Sequence, residues 1–129
     1  EEIKILNNKI VITPLVDAFK TFKEGFEEAE TRLEKDGVIQ RFEYCYELTW
    51  KTLKKILEYK GITVRNPRDT FREAAYQGLI NDTEIWFGMV EKRNLTVHTY
   101  KEAIVLELDE MIEKVIDEMG NLINKLQAL

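Results

Sequence analysis

At 129 residues, with 44% hydrophobic and 33% charged residues, the chain is long enough for one domain with a real core and too apolar for disorder. A formal net charge of -5 argues against a surface that grips nucleic acid over its whole extent and leaves room only for a local basic patch. The single cysteine, Cys45, excludes an internal disulfide and a cysteine-built metal site and suits a reducing cytoplasm, and no apolar run approaches the ~18–20 residues that a membrane span needs.

Residues 1–12 carry Ile3, Ile5, Leu6, Ile10, Val11 and Ile12 without a clear period and fit either a short helix or an extended arm. They lack the basic-then-apolar order of a secretory signal. Thr13-Pro14 predicts a helix start, a hydroxyl cap followed by a first-turn proline. From there Leu15, Phe19, Phe22, Phe26, Ala29 and Leu33 recur at alternating spacings of four and three, which predicts one helix ending at Asp36-Gly37. A second helix is expected over Val38–Tyr59, with Ile39, Phe42, Tyr46, Trp50, Leu53 and Leu57 on one side and Gly61 as its stop.

Asn66-Pro67-Arg68-Asp69 has the cap, proline and early acid that start a third, shorter helix, closed by Gly78. Asn81-Asp82-Thr83-Glu84 resembles a capping box for a fourth, with Ile85, Trp86, Met89 and Val90 facing inward. Val105, Leu108, Ile112, Val115, Met119, Leu122, Leu126 and Leu129 make the longest stripe, and Thr99-Tyr100-Lys101-Glu102 fits the box that precedes it. Short loops make consecutive helices antiparallel. The expected architecture is an all-α up-and-down bundle of three long and two short helices over residues 1–129, with heptad spacing that also suits a homodimer seam.

Trp50 and Trp86 lie on apolar stripes and are expected in the core, and Cys45 as a small buried hydrophobe. Tyr44, Tyr46, Tyr59 and Tyr76 are expected to pack or to sit at the rim. The acidic runs around Glu24–Glu30 and Glu107–Glu113 read as solvated helix faces, because a carboxylate-bridged metal site wants Glu-x-x-His on two helices and this chain has one histidine.

That histidine, His98, lies at the junction of the fourth and fifth stripes, with Arg93 five positions before it and Tyr100 two after. A lone histidine is most often an ordinary core or surface residue. Here its neighbours suggest more. Arginine offers a permanently charged fork of donors suited to phosphate, and imidazole titrates near neutrality and can carry a proton. A following helix N-terminus favours an anion. Together they suit a phosphodiester whose ribose hydroxyl is the nucleophile. On one continuous helix a five-residue step turns about 140°, so the pair would not share a face. The β-branched Thr96, Val97 and Thr99 predict a break between them. Lys92, Arg93 and Lys101, with Arg65, Arg68 and Arg72, form either a local basic patch with weak phosphate contacts or an ordinary solvated mixture.

The run Arg93-Asn94-Leu95-Thr96-Val97-His98-Thr99-Tyr100 resembles the Arg-polar-x-x-x-His motif of the HEPN superfamily, in the longer form with a following tyrosine seen in HepT-type toxins. Residues 42–61 and 67–82 resemble the nucleotidyltransferase substrate-binding protein-like family. The resemblance implies a dimerising helical bundle whose partner is a separate minimal nucleotidyltransferase. Its members include metal-independent endoribonuclease toxins of toxin–antitoxin pairs, and also non-catalytic substrate- or nucleotide-binding subunits. It implies that Arg93 holds phosphate, His98 transfers a proton, Asn94 orients the site and Tyr100 is the target of adenylation by the partner. No metal or cofactor is implied. This chain has no Gly-Ser and no Asp-x-Asp, so it lacks nucleotidyltransferase chemistry of its own.

Overall fold

In the computed structural model the backbone is described at Lys4–Ile5, over residues 10–98 and over 102–129, and side chains over 10–94 and 110–129. The fold is all-α, with one small addition. Lys4–Ile5 (β1) pairs antiparallel with Ile10–Val11 (β2), Lys4 opposite Val11 and Ile5 opposite Ile10. Of the two expectations for the N-terminus, the extended arm is the one seen at these residues.

β2 leads into α1 (Thr13–Glu28) through Ile12, which is fully buried and occupies the cap position without a side-chain hydrogen bond. The expected Thr13 cap is therefore replaced by an apolar anchor. Burying Ile10 and Ile12 sets the entry of the chain, and Pro14 fits the first turn. The helix also ends earlier than the apolar spacing predicts, at Glu28 and not at Asp36-Gly37. A complete capping box explains why. Thr31 Oγ1 accepts from Glu34 N at 3.1 Å, and Glu34 Oε1 accepts from Thr31 N at 3.0 Å. This starts α2 at Arg32, so α2 runs Arg32–Tyr59 and contains Gly37 in its interior. The break shifts the phase of the stripe: Phe22 is fully buried, but Leu33 is 81% exposed.

α2 ends where Gly61 takes φ 85°, with Ile62 N donating to Leu57 O at 2.8 Å. α3 (Pro67–Tyr76) is capped by Asn66, whose side chain accepts from Asp69 N at 2.9 Å. Gly78, at φ 77°, turns the chain out of it. α4 (Thr83–His98) starts on Asp82, which accepts from Glu84 N at 3.1 Å and Ile85 N at 3.3 Å. α5 spans Glu102–Gln127. The expected Thr99 cap lies outside the described residues. In place of three long helices and two short ones there are two long (28 and 26 residues), two of 16 and one of 10.

Each helix packs on its predecessor, and α1 also packs on α5, closing the bundle. α2 folds back on α1, so Phe22 meets Phe42 and Gly25 lies under Arg41. Rings from four helices form a continuous chain: Phe22–Phe42, Phe42–Tyr46 and Tyr46–Phe71 at 6.0 Å, then Phe71–Trp86 at 5.0 Å. α5 fills the remaining side with Ile112, Val115, Met119, Leu122 and Leu126. Among the described residues, no helix is long and apolar enough to cross a membrane.

Candidate functional site

The site is built where α2, α3 and α4 converge on Tyr46. Tyr46 lies in the core at 2% exposure, one residue before Glu47. Glu47 Oε1 pairs with Arg93 Nη2 of α4 at 3.5 Å. Its other oxygen accepts from Trp50 Nε1 at 3.0 Å and lies 3.7 Å from Lys51 Nζ. Glu47 is thus fixed by its own helix and holds the Arg93 guanidinium in place. From α3, Arg68 makes a cation–π contact with Phe87 on α4, its guanidinium carbon over the ring 5.2 Å from the centroid.

Burial pushes the Tyr46 phenol up to about 12, and the Glu47 carboxylate adds to the rise. Arg93 and Arg68 act in the opposite direction. Both guanidiniums therefore bear on one phenol from two helices. Of the expected basic patch, Arg93 is seated on Glu47 of α2 and Arg68 over Phe87 of α4. Arg72 is engaged elsewhere, on Asp69 at 3.0 Å.

The expected break between Arg93 and His98 is absent: α4 is continuous through both. The i to i-4 bonding of an established helix outweighs the small propensity cost of Thr96 and Val97. Helical register then places the two positions about 140° apart on one chain. Asn94 and His98, four residues apart, fall within about 40° of each other, and Phe87 shares their face. Arg93 is half-buried towards α2, while Asn94 is exposed. The side chain of His98 and the whole of Tyr100 and Lys101 lie outside the described residues. Lys92 is half-buried beside Arg93.

Glu47 and Phe87 are the site residues that the sequence did not single out, and Arg68 was read only as one member of the possible basic patch. The spacing from position 47 to position 93 carries no period, so no local signal could reveal the pair. Tyr46 was expected to pack, and does so. Trp86 is in the core, and its Nε1 is buried without a partner among the described residues. Trp50 is only half-buried and serves Glu47. Cys45 is buried, its thiol pushed up to about 12 by burial. A separate open cleft of about 790 Å³ lies between α1 and α2, lined in part by Pro14, Asp17, Arg41 and Tyr44. None of the Arg93 cluster lines it.

The family model described as nucleotidyltransferase substrate binding protein like matches residues 11–128. A Haemophilus influenzae protein named "Probable ribonuclease HepT" is 32% identical over 96 residues, 70% of this chain and 66% of that protein. The chain thus spans just under two thirds of that relative's length. A Thermus thermophilus protein of known crystal structure superposes with TM-score 0.80 at 34% identity, over 87% of this chain and 98% of that one. A Haemophilus influenzae structure, reported to reveal the fold of a substrate binding domain of a nucleotidyltransferase, gives TM-score 0.75 at 27% identity, over 88% and 96%. The tri-AMPylated Shewanella oneidensis HEPN toxin, solved with its MNT antitoxin, shares the fold at TM-score 0.60 and 22% identity, over 84% and 97%. With the family model covering nearly the whole helical region, this chain belongs to the nucleotidyltransferase substrate binding protein like family.

Proposed function

We propose that the protein is a metal-independent endoribonuclease, the toxin of a toxin–antitoxin pair whose antitoxin is a separate minimal nucleotidyltransferase. The observation that carries this reading is the seat of Arg93: a half-buried guanidinium, held by Glu47, on the helix that bears Asn94 and His98 in the family motif. The relative named as a probable ribonuclease supports it. In this reading Arg93 neutralises the phosphate and the 2′-hydroxyl attacks phosphorus. His98 moves the proton that leaves the hydroxyl or reaches the departing 5′-oxygen, and Asn94 orients the group. Lys92 and Lys101 add weak contacts to the strand.

The 140° between Arg93 and His98 supports a site completed by two copies, because one helix does not turn both positions to one face. We therefore include a homodimer in the proposal, acting in the cytoplasm as a single domain over residues 1–129. Adenylation of Tyr100 by the partner would add bulk and negative charge beside the phosphate and silence the site. The test is cleavage of single-stranded RNA in EDTA. Wild-type protein is expected to cut and His98→Ala to be inert at the same concentration. Equal cutting by both rejects the mechanism.

A second reading is favoured by the relative reported as a substrate binding domain: a non-catalytic substrate- or nucleotide-binding subunit of the nucleotidyltransferase. It expects a stable complex with the partner and no RNA cleavage by any form.

A further inference from the structure

We propose that Arg68 is a second phosphate-binding residue, seating a strand phosphate distinct from the one at Arg93, so that the site takes a single-stranded polynucleotide and not an isolated nucleotide. The inference rests on the RNA-cleaving reading and deepens it.

Three observations carry it. First, Arg68 is an exposed residue whose guanidinium carbon lies over the Phe87 ring, 5.2 Å from its centroid. A cation–π contact of this kind holds a guanidinium without using its N–H donors, which stay available for an anion. Second, no carboxylate lies within ion-pair distance of Arg68 among the described residues. The carboxylate of its neighbour Asp69 accepts instead from Arg72 at 3.0 Å and from the Asn66 side-chain amide at 3.4 Å. Third, Phe87 shares the face of α4 that carries Asn94 and His98, whereas Arg93 lies on the α2 side. Arg68 thus brings a cation to the face of the proton-transferring residue. Phe87 precedes Arg93 by six residues and His98 by eleven, roughly 9 and 16 Å along the axis. At that separation Arg68 is suited to a phosphate away from the scissile bond. It is a substrate-positioning residue.

The experiment measures binding apart from cleavage, with a labelled single-stranded 2′-O-methyl oligoribonucleotide that lacks the nucleophilic hydroxyl. Affinity is followed from 50 to 300 mM salt by fluorescence anisotropy. Each single-strand phosphate contact contributes a slope of about 0.7 in log affinity against log salt. Arg68→Gln is expected to lower the slope by about 0.7, Arg68→Lys to retain it, and Phe87→Leu to weaken binding while keeping the slope. The double variant Arg68→Gln, Arg93→Gln is expected to lose about twice as much as either single variant. With cleavable RNA, Arg68→Gln is expected to raise KM severalfold with kcat unchanged. An unchanged slope in Arg68→Gln, or a double variant no worse than Arg93→Gln alone, overturns the assignment. Failure of wild-type protein to bind the oligonucleotide overturns it together with the RNA-cleaving reading. Binding with the expected slopes but no cleavage removes only the catalytic reading and leaves Arg68 in place.

Discussion

Glu47 shows how much a single carboxylate can do without adding much stability. Its pair with Arg93 joins side chains that are 26% (Arg93) and 33% (Glu47) exposed, a setting in which ion pairs contribute on the order of 0.2–1 kcal/mol. Its effect is positional. Glu47→Gln keeps an acceptor for Trp50 but removes the charge that holds Arg93. The expected outcome is RNA cleavage reduced about tenfold, with thermal unfolding shifted by less than ~1 kcal/mol. A larger loss of stability than of activity would make Glu47 a structural residue. Next door, Cys45 and Tyr46 make a pH prediction. Both are raised to about 12, from ordinary values of 9.0 and 10.0, by burial first. Their neutral forms are favoured in the folded chain, so their stabilising effect is complete below pH 9. Unfolded chains ionise first, and stability is expected to fall from about pH 9 towards 12. Denaturant midpoints measured across that range check it, and Cys45→Ala should flatten the lower part of the decline.

At the level of elements, caps outrank stripes. The apolar period of α1 continues in sequence through Leu33, yet the helix stops because Thr31 and Glu34 satisfy each other's backbone donors. The box is local, a Thr-x-x-Glu at positions 31–34, and the apolar spacing that runs across it carries no mark of the break. One consequence is that Gly37 sits in a helix interior, and a Cβ there meets nothing within 4 Å. Gly37→Ala is expected to stabilise the fold by ~0.5–1 kcal/mol, read as a raised denaturant midpoint. A destabilised variant would instead argue for a terminus at Gly37. Trp86 tests the aromatic chain. Its ring is fully buried against Phe71 but its Nε1 has no partner among the described residues. Trp86→Ala is therefore expected to cost ~3–5 kcal/mol in denaturant unfolding, and Trp86→Phe much less, because no hydrogen bond is lost.

For the whole molecule, closure of α1 onto α5 gives one bundle on which α2, α3 and α4 meet at Tyr46. The proposed regulation belongs to this scale, since it needs a second protein. Co-expression with the proposed nucleotidyltransferase partner is expected to add adenylate-sized mass increments to the peptide carrying Tyr100, and none in Tyr100→Phe. Peptide mass spectrometry reads this directly. An unmodified Tyr100 in an inactive complex would mean silencing by occlusion alone.

The sequence by itself determined the helical class, the turns at Gly61 and Gly78, the helix starts at Asn66-Pro67 and Asn81-Asp82, and the inward positions Ile39, Phe42, Tyr46, Leu53 and Leu57 of α2 and Ile112, Val115, Met119, Leu122 and Leu126 of α5, though not Leu129, which the same period predicts inward and which is exposed. These are local quantities: a cap, a positive-φ glycine or a period of 3.6 is written within one or two turns. It also carried the motif residues Arg93, Asn94, His98 and Tyr100 as a string. Only the tertiary structure decided that α4 is continuous through Arg93 and His98, and that Glu47 holds Arg93 while Phe87 holds Arg68. The reason is physical. Whether two side chains meet across 46 residues depends on how helices pack, and packing is set by the sum of many buried contacts, none of which is legible at either end of the pair.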